Sequence, residues 1–541
     1  MKLAIDRRTL VKAGMLGLGA LSTPGVAALL TARGFTHGVA SGEPRQNSVL
    51  LWTRYAGSGD TTLRVDVARD PDFSQIVTGG EAIARADADY TAKAVIGDLP
   101  ANSWLFYRFV APDGSMSRVG RTRTLPEGDI ARFGIGLFSC SNLPYGWFNA
   151  YAHAAGRQDI DLTIHVGDYF YEYAAGNYPP VDEAVAGRLL QPDHETLTLA
   201  DYRMRYACYR LDEDLQNLHA AFPMIARWDD HESANNSWKD GAENHQPDTE
   251  GPWSVRKAMA EKAYREWLPV SENVWDSYQI GTLATIFLPE TRLTARTEEA
   301  DIAAALKGQT DIGKALLHFR DEVWMDPSHT LLGQAQEDWL FGGLRQSKQS
   351  GTQWQILAQQ VVMGTVSAPQ DMLSWFGNDA SEQVKRYVQL AAASAQAGLP
   401  YNLDAWDGYP VARNRLYEAA LAANADLVVL AGDSHNAWGN NLAHGSERVG
   451  VEFAGHSVTS PGFEHYAVGA RPQDVARSLM QANPGLVFSD TSRRGYVSLD
   501  VRPDAVTGAW HFLDTIQRRS SAMAETVSMK VRKGQHLLEA V

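Results

Sequence analysis

The chain has 541 residues, with 49 basic against 64 acidic side chains and a formal charge of -15. Its length and 44% hydrophobic content suffice for two or more domains with buried cores. The acidic balance disfavours non-specific binding of nucleic acid or anionic membrane, so any attraction for phosphate must be local.

The chain opens with Asp6-Arg7-Arg8-Thr9-Leu10-Val11-Lys12, a twin-arginine pattern, followed by a moderately apolar, Gly- and Ala-rich stretch from Ala13 to Leu30. Residues 1–34 therefore read as a signal for the twin-arginine export machinery, delivering the protein to the periplasm or the outside. Lys12 and Pro24 make a poor spanning helix, and no later run of about 18 apolar residues predicts a stable membrane span.

Residues 35–127 alternate in short apolar runs such as Val49-Leu50-Leu51-Trp52 and Trp104-Leu105-Phe106-Tyr107, with turns at Asp70-Pro71, Gly79-Gly80 and Asp113-Gly114. This pattern predicts an all-β sandwich of immunoglobulin or fibronectin type. His37 reads as a structural histidine within it. From 130 to 515, strands alternate with helices, the latter expected over Ala150–Gly156, Val255–Trp267, Gln334–Leu344 and Arg413–Ala423. Met325-Asp326-Pro327 and Trp375-Phe376-Gly377-Asn378-Asp379 read as loops, and the tail from 516 to 541 as helical.

Four islands carry the chemistry. Ile164-His165-Val166-Gly167-Asp168-Tyr169-Phe170-Tyr171 and Val429-Leu430-Ala431-Gly432-Asp433-Ser434-His435-Asn436 each run as a buried strand that stops at Gly and delivers an Asp, with a second potential ligand two or three residues on. The Gly permits a sharp turn, and the rigid strand fixes where carboxylate, phenol and imidazole can converge. Arg227-Trp228-Asp229-Asp230-His231-Glu232-Ser233-Ala234-Asn235-Asn236 crowds three carboxylates together, which calls for a cation or hydrogen-bond donors nearby. Gly136-Leu137-Phe138-Ser139-Cys140-Ser141-Asn142 ends a strand at a soft ligand. A disulfide to Cys208 is the default for an exported protein, but Cys140 reads better as a thiolate ligand and Cys208 as a helical packing residue.

These islands, with Phe35-Thr36-His37-Gly38, Leu51-Trp52-Thr53-Arg54 and Trp406-Asp407-Gly408-Tyr409-Pro410, resemble in content and order the PhoD family of alkaline phosphatases and phosphodiesterases. The resemblance covers nearly the whole chain. It implies an α/β metallophosphoesterase core of two packed β-sheets flanked by helices, related to calcineurin-like and purple-acid phosphatases, behind the N-terminal sandwich. It also implies a site holding Fe3+ and Ca2+: Cys140, Asp168, Tyr171 and His435 around the ferric ion, with Asp230, Asn235 and Asp433 completing the calcium side and Asp168 reaching toward both. Thiolate, phenolate and imidazole suit a transition metal, whereas carboxylate and amide oxygens suit calcium. The choices between Asp229 and Asp230, and between Asn235 and Asn236, stay open. Leu288-Pro289-Glu290-Thr291-Arg292 carries Glu290 where the family pattern has Asp, and leaves Arg292 as a candidate phosphate contact.

The expected function is hydrolysis of small phosphate mono- and diesters by metal-activated water, releasing phosphate. His231 is the candidate acid for the leaving alkoxide or a partner of the phosphate; the alternative is that it orients Asp230 or Glu232. A phospholipase-D-like specificity on the same scaffold, or a non-enzymatic calcium-stabilised surface protein, are the competing readings.

Overall fold

The structure, a computed structural model, describes residues 32–377 and 380–541. The twin-arginine pattern, with Asn378 and Asp379, lies outside the described residues.

Two antiparallel layers form the N-terminal region. Strands Gly34–Gly42, Val49–Ala56 and Thr91–Ile96 make one; Ile76–Ala84, Thr61–Ala68, Trp104–Val110 and Gly120–Arg123 make the other. Trp104–Val110 buries every second side chain, as strict alternation requires of a strand with one face on a core. Leu51, Val65, Leu105 and Phe109 share one apolar cluster between the layers. Each such side chain contributes roughly 1.5–3 kcal/mol on burial. His37 is enclosed here, its ring edge-on to Trp267 at 5.1 Å between centroids.

The N-terminal region is continuous with the rest of the chain, because Ser41 and Gly42 pair in parallel with Pro223 and Met224. One ten-stranded sheet therefore runs from the C-terminal strands into the N-terminal layer. Its central part comprises Gly495–Val501, Phe133–Phe138, Leu162–His165 and Pro223–Ala226. A second sheet of seven strands has Ala284–Leu288, Trp354–Ala358, Leu427–Ala431 and Glu447–Ala454 at its centre, mutually parallel. Leu137, Ile164 and Val497 from the first sheet meet Ile286, Ile356 and Val428 from the second in a common core.

Helices cover the outer faces. Leu340 and Leu344 of Gly333–Gln349 and Leu416 of Pro410–Ala422 pack on Leu357 and Val429, while Asn149–Ala155, Leu199–Arg210 and Trp253–Trp267 share a cluster around Phe138 and Met224. With both faces covered, the strands Phe133–Phe138, Leu162–His165 and Leu427–Ala431 are buried throughout, which is why they read as unbroken apolar runs. The four helices expected in this region are all present, with ends that differ by a few residues.

Two expectations are corrected. The tail is not helical: Met523–Arg532 and Leu538–Ala540 extend the ten-stranded sheet, so the core does not stop at 515. Met529 and Val531 reach the core shared by the sheets, whereas Lys530 is half-buried and Arg532 exposed, a period-2 arrangement over this end of the strand. Trp375 and Phe376, expected in a loop, close a short 3-10 helix, Met372–Phe376.

Candidate metal centre

The mutually parallel strands Phe133–Phe138, Leu162–His165 and Pro223–Ala226 of the first sheet and Leu427–Ala431 of the second lead into loops that meet in one region, the place where α/β sheets gather functional groups. Close approach is achieved by removing side chains. A Cβ on Gly167 would stand 2.3 Å from Asp229 Cβ, and one on Gly432 would stand 2.6 Å from Ser139 Cβ. The turns at these strand ends hold Cys140, Asp168, Asp433 and His435 at φ 60°, 53°, 62° and 61°. Left-handed geometry at non-glycine residues costs on the order of 1–2 kcal/mol each and tends to collect at functional sites.

Three overlapping groups result. Ligand atoms of Cys140, Asp168 and His435 lie within 4.8 Å of one another, as do those of Asp168, Asp230 and His231, and those of Asp229, Asp230 and Asp433. Asp168 and Asp230 each belong to two groups, so the three form one continuous cluster. Tyr171 joins it: its hydroxyl lies 2.9 Å from His435 Nε2 and 3.1 Å from Asp168 Oδ2, and Ser460 Oγ is 2.7 Å away.

Electrostatics show what the cluster is short of. Burial pushes Asp168 and Asp433 well above the usual carboxylate range, reinforced by neighbouring aspartates, and lifts Asp229 to about 7. Asp168 Oδ1, Asp229 Oδ2 and Asp230 Oδ1 are buried and lack hydrogen-bond partners among the described residues. The Cys140 thiol and the Tyr171 phenol are raised well above their ordinary values by burial and then by Asp168. Orphaned carboxylate oxygens beside a thiol and a phenol that need a strong Lewis acid to ionise form a donor set that fits metal cations. Burial also lowers His435 to about 3, and its Nδ1–H donates to Pro461 O at 2.9 Å, leaving a neutral ring with the Nε2 lone pair turned to the cluster.

Several residues organise this set. Glu232 is a clamp: its carboxylate accepts from the backbone N–H groups of Asp168, Tyr169 and Asp229 at 3.1, 2.6 and 2.9 Å, tying two islands together. Glu290 does the same for its own turn, accepting from Trp228 Nε1 and from the N–H groups of Arg292, Leu293 and Thr294. Arg292 is fully buried. Its guanidinium is hydrogen-bonded to Asp229, to both oxygens of Asp404 at 2.7 and 2.8 Å, and to Asp433 at 3.1 Å.

His231 Nδ1 lies 2.6 Å from Glu172 Oε2, which fixes the ring, and His231 shares a ligand group with Asp168 and Asp230. Burial alone would lower His231, but Asp230, Glu172 and Asp168 drive it well above its ordinary value. Burial would raise Asp230, yet His231 and Arg292 hold it below the usual range. Asn235 donates its backbone N–H to Glu172 and sets its amide 3.4 Å from Glu243, while Asn236 donates its backbone N–H to Asp230 Oδ2 at 2.6 Å. Both cysteines are free, and Cys208 sits on a helix, 3.3 Å from Leu189 O.

Sequence reading missed Glu172, Ser460 and Asp404. Glu172 had a signal, since it directly follows Tyr171 in an island already singled out. Ser460 and Asp404 lie on irregular loops and had none.

The sequence profile described as PhoD-like phosphatase matches residues 133–510, and that of the PhoD-like phosphatase N-terminal domain matches 21–126. The chain is 31% identical over 534 residues to alkaline phosphatase D of Bacillus subtilis (strain 168), covering 94% of this chain and 82% of that protein. A solved structure of PhoD superposes with a TM-score of 0.77 at 30% identity, over 94% of this chain and 92% of that one.

Proposed function

The chain belongs to the PhoD-like phosphatase family and is a phosphoester hydrolase, and from that premise we propose that it is an exported, metal-dependent alkaline phosphatase and phosphodiesterase that releases phosphate from small esters. The observation that carries the metal dependence is the continuous cluster of three ligand groups with its orphaned carboxylate oxygens. In this reading Fe3+ is held by Cys140, Asp168, Tyr171 and His435, and Ca2+ by Asp230, Asn235 and Asp433 with Asp168 shared. The division follows the donors: sulfur, phenol and imidazole stand at one end of the cluster, and Asp229, Asp230 and Asp433 supply oxygen alone at the other. The fold is read as a metallophosphoesterase core behind an immunoglobulin- or fibronectin-like sandwich. Export by the twin-arginine route rests on Arg7 and Arg8.

When bound, such cations polarise the phosphoryl group and make water acidic enough to attack near neutral pH. The chain's own groups do the rest. Glu172 fixes the His231 ring through Nδ1, so Nε2–H is the proton donor available to a departing alkoxide. Arg292 holds Asp229 and Asp433 in place and offsets the negative charge that the cluster would otherwise accumulate. With four acidic neighbours and no exposed surface, its part is positioning these carboxylates.

The test is turnover of one monoester and one diester before and after calcium chelation. Loss on chelation with recovery on calcium addition is expected. Metal-loaded protein that cleaves neither type would overturn the reading.

A further inference from the structure

Beside His435 lies a cavity of about 150 Å³. Val366, Tyr401, Trp438, Phe463 and Tyr466 supply its larger apolar side chains, and His435 of the ligand cluster lines it together with Pro461. Phe463 is gripped by three other rings, with Trp375, Tyr401 and Trp438 at 6.2, 6.0 and 6.3 Å between centroids. This is a preformed aromatic wall.

Several polar groups around the cavity are already engaged with protein. Ser434 Oγ accepts from Trp438 Nε1 at 2.6 Å, and Asn436 Oδ1 accepts from Phe463 N–H at 3.1 Å. Asp407 is committed to Arg413 and to the Val366 N–H, and Asn402 Oδ1 to the Asp404 N–H. An occupant that brought hydrogen-bonding groups of its own would find few partners here, whereas an apolar one forfeits nothing.

We propose that this cavity is the subsite for the organic part of the ester, and that it selects phosphate esters whose alcohol carries one ring-sized apolar group. The inference rests on the hydrolase reading above and adds the substrate class to it. Size supports the assignment, because an apolar protein cavity of about 150 Å³ takes up benzene. Position supports it too: His435 belongs to the ligand cluster and also lines the cavity, so an ester whose phosphate meets the cluster has its alcohol portion beside the cavity. An occupying ring would lie against Phe463 and Tyr466, and aromatic contacts of that kind discriminate beyond their buried area.

Benzyl phosphate and ethyl phosphate test this, since both release a simple alkoxide and differ mainly in the ring. The expected kcat/KM ratio favours benzyl phosphate by about tenfold or more. Phe463→Ala and Tyr466→Ala are expected to shrink the ratio by lowering kcat/KM for benzyl phosphate more than for ethyl phosphate. Tyr466 is 56% exposed, so its truncation spares the fold. Equal kcat/KM for the two esters in the parent protein would overturn the subsite and leave the hydrolase reading intact. Equal losses on both esters in the Tyr466 variant would also overturn it. Turnover of neither ester by metal-loaded parent protein would instead refute the hydrolase reading itself.

Discussion

Removing Arg292 should expose how the site is balanced. The guanidinium is buried without exposed surface and spans three carboxylates: Asp229 through Nε, Asp404 through Nη1 and Asp433 through Nη2. Arg292→Met keeps the volume and deletes the charge, leaving Asp229 and Asp433 without their cation, while Asp404 retains only Arg296. Breaking a buried pair in this way costs about 3–5 kcal/mol, more than a hundredfold in the folding equilibrium. Arg292→Lys preserves the charge, but a single ammonium cannot reproduce a three-armed fork, so it should lose about 1.5–3 kcal/mol for each charged hydrogen bond left unmade.

The assay is equilibrium urea unfolding, run with chelator and again with excess calcium. The order parent, Lys, Met is expected in chelator, with part of the Met deficit recovered in calcium because a bound cation supplies the missing positive charge. An Arg292→Met protein as stable as the parent yet devoid of turnover would refute this reasoning and return Arg292 to the role of phosphate contact.

Individual contacts set three further outcomes. Tyr171→Phe should reduce iron content and alter a visible absorption band from phenolate charge transfer; an unchanged spectrum and metal content would mean that Tyr171 only packs. Glu172→Gln and His231→Gln should slow esters with poor leaving groups about 10²-fold or more while sparing activated aryl esters, and an equal loss on both classes would show that His231 is not the proton donor. Burial would raise Asp426, but hydrogen bonds from His536, Lys348 and the Gly534 N–H hold it down to about 2, so its folded value lies below the unfolded one of about 3.9. The stability it contributes is complete above the unfolded value and is lost as pH falls toward the folded one. The difference in melting temperature between parent and Asp426→Asn should therefore shrink from pH 5 to pH 2, and a constant difference would sink the argument.

The residues that meet in the cluster were legible in the sequence for a local reason. Cys140, Asp168 and Asp433 each stand two or three residues beyond a strand buried on both faces, and such strands show as apolar runs that end abruptly. Their surroundings were less legible, because partners far apart in sequence leave no local trace. Arg292 and Asp404 are separated by 112 residues, and Asp404 sits in an irregular loop with nothing periodic about it. Glu290 looked like a departure from a family pattern. In the structure its carboxylate organises the turn that carries Arg292, a task for which reach and acceptor number matter. The helical reading of the tail failed for a different reason. Val527-Ser528-Met529-Lys530-Val531 alternates strictly, but the alternation is brief and flanked by charge, and its meaning depends on the neighbouring strand Ala505–Leu513. Continuity between the N-terminal layer and the core was equally hidden, since it consists of two residue pairs, Ser41 with Pro223 and Gly42 with Met224.

The central claim is that Cys140, Asp168, Tyr171 and His435 at one end, and Asp230, Asn235 and Asp433 at the other, hold cations that split phosphate esters. Elemental analysis of natively purified protein, beside Asp168→Asn purified identically, tests it most directly. Iron and calcium in stoichiometric amounts in the parent, both depleted in the variant together with turnover, is the expected result. A parent protein that hydrolyses esters with zinc as its sole metal, or with no metal, would contradict the account.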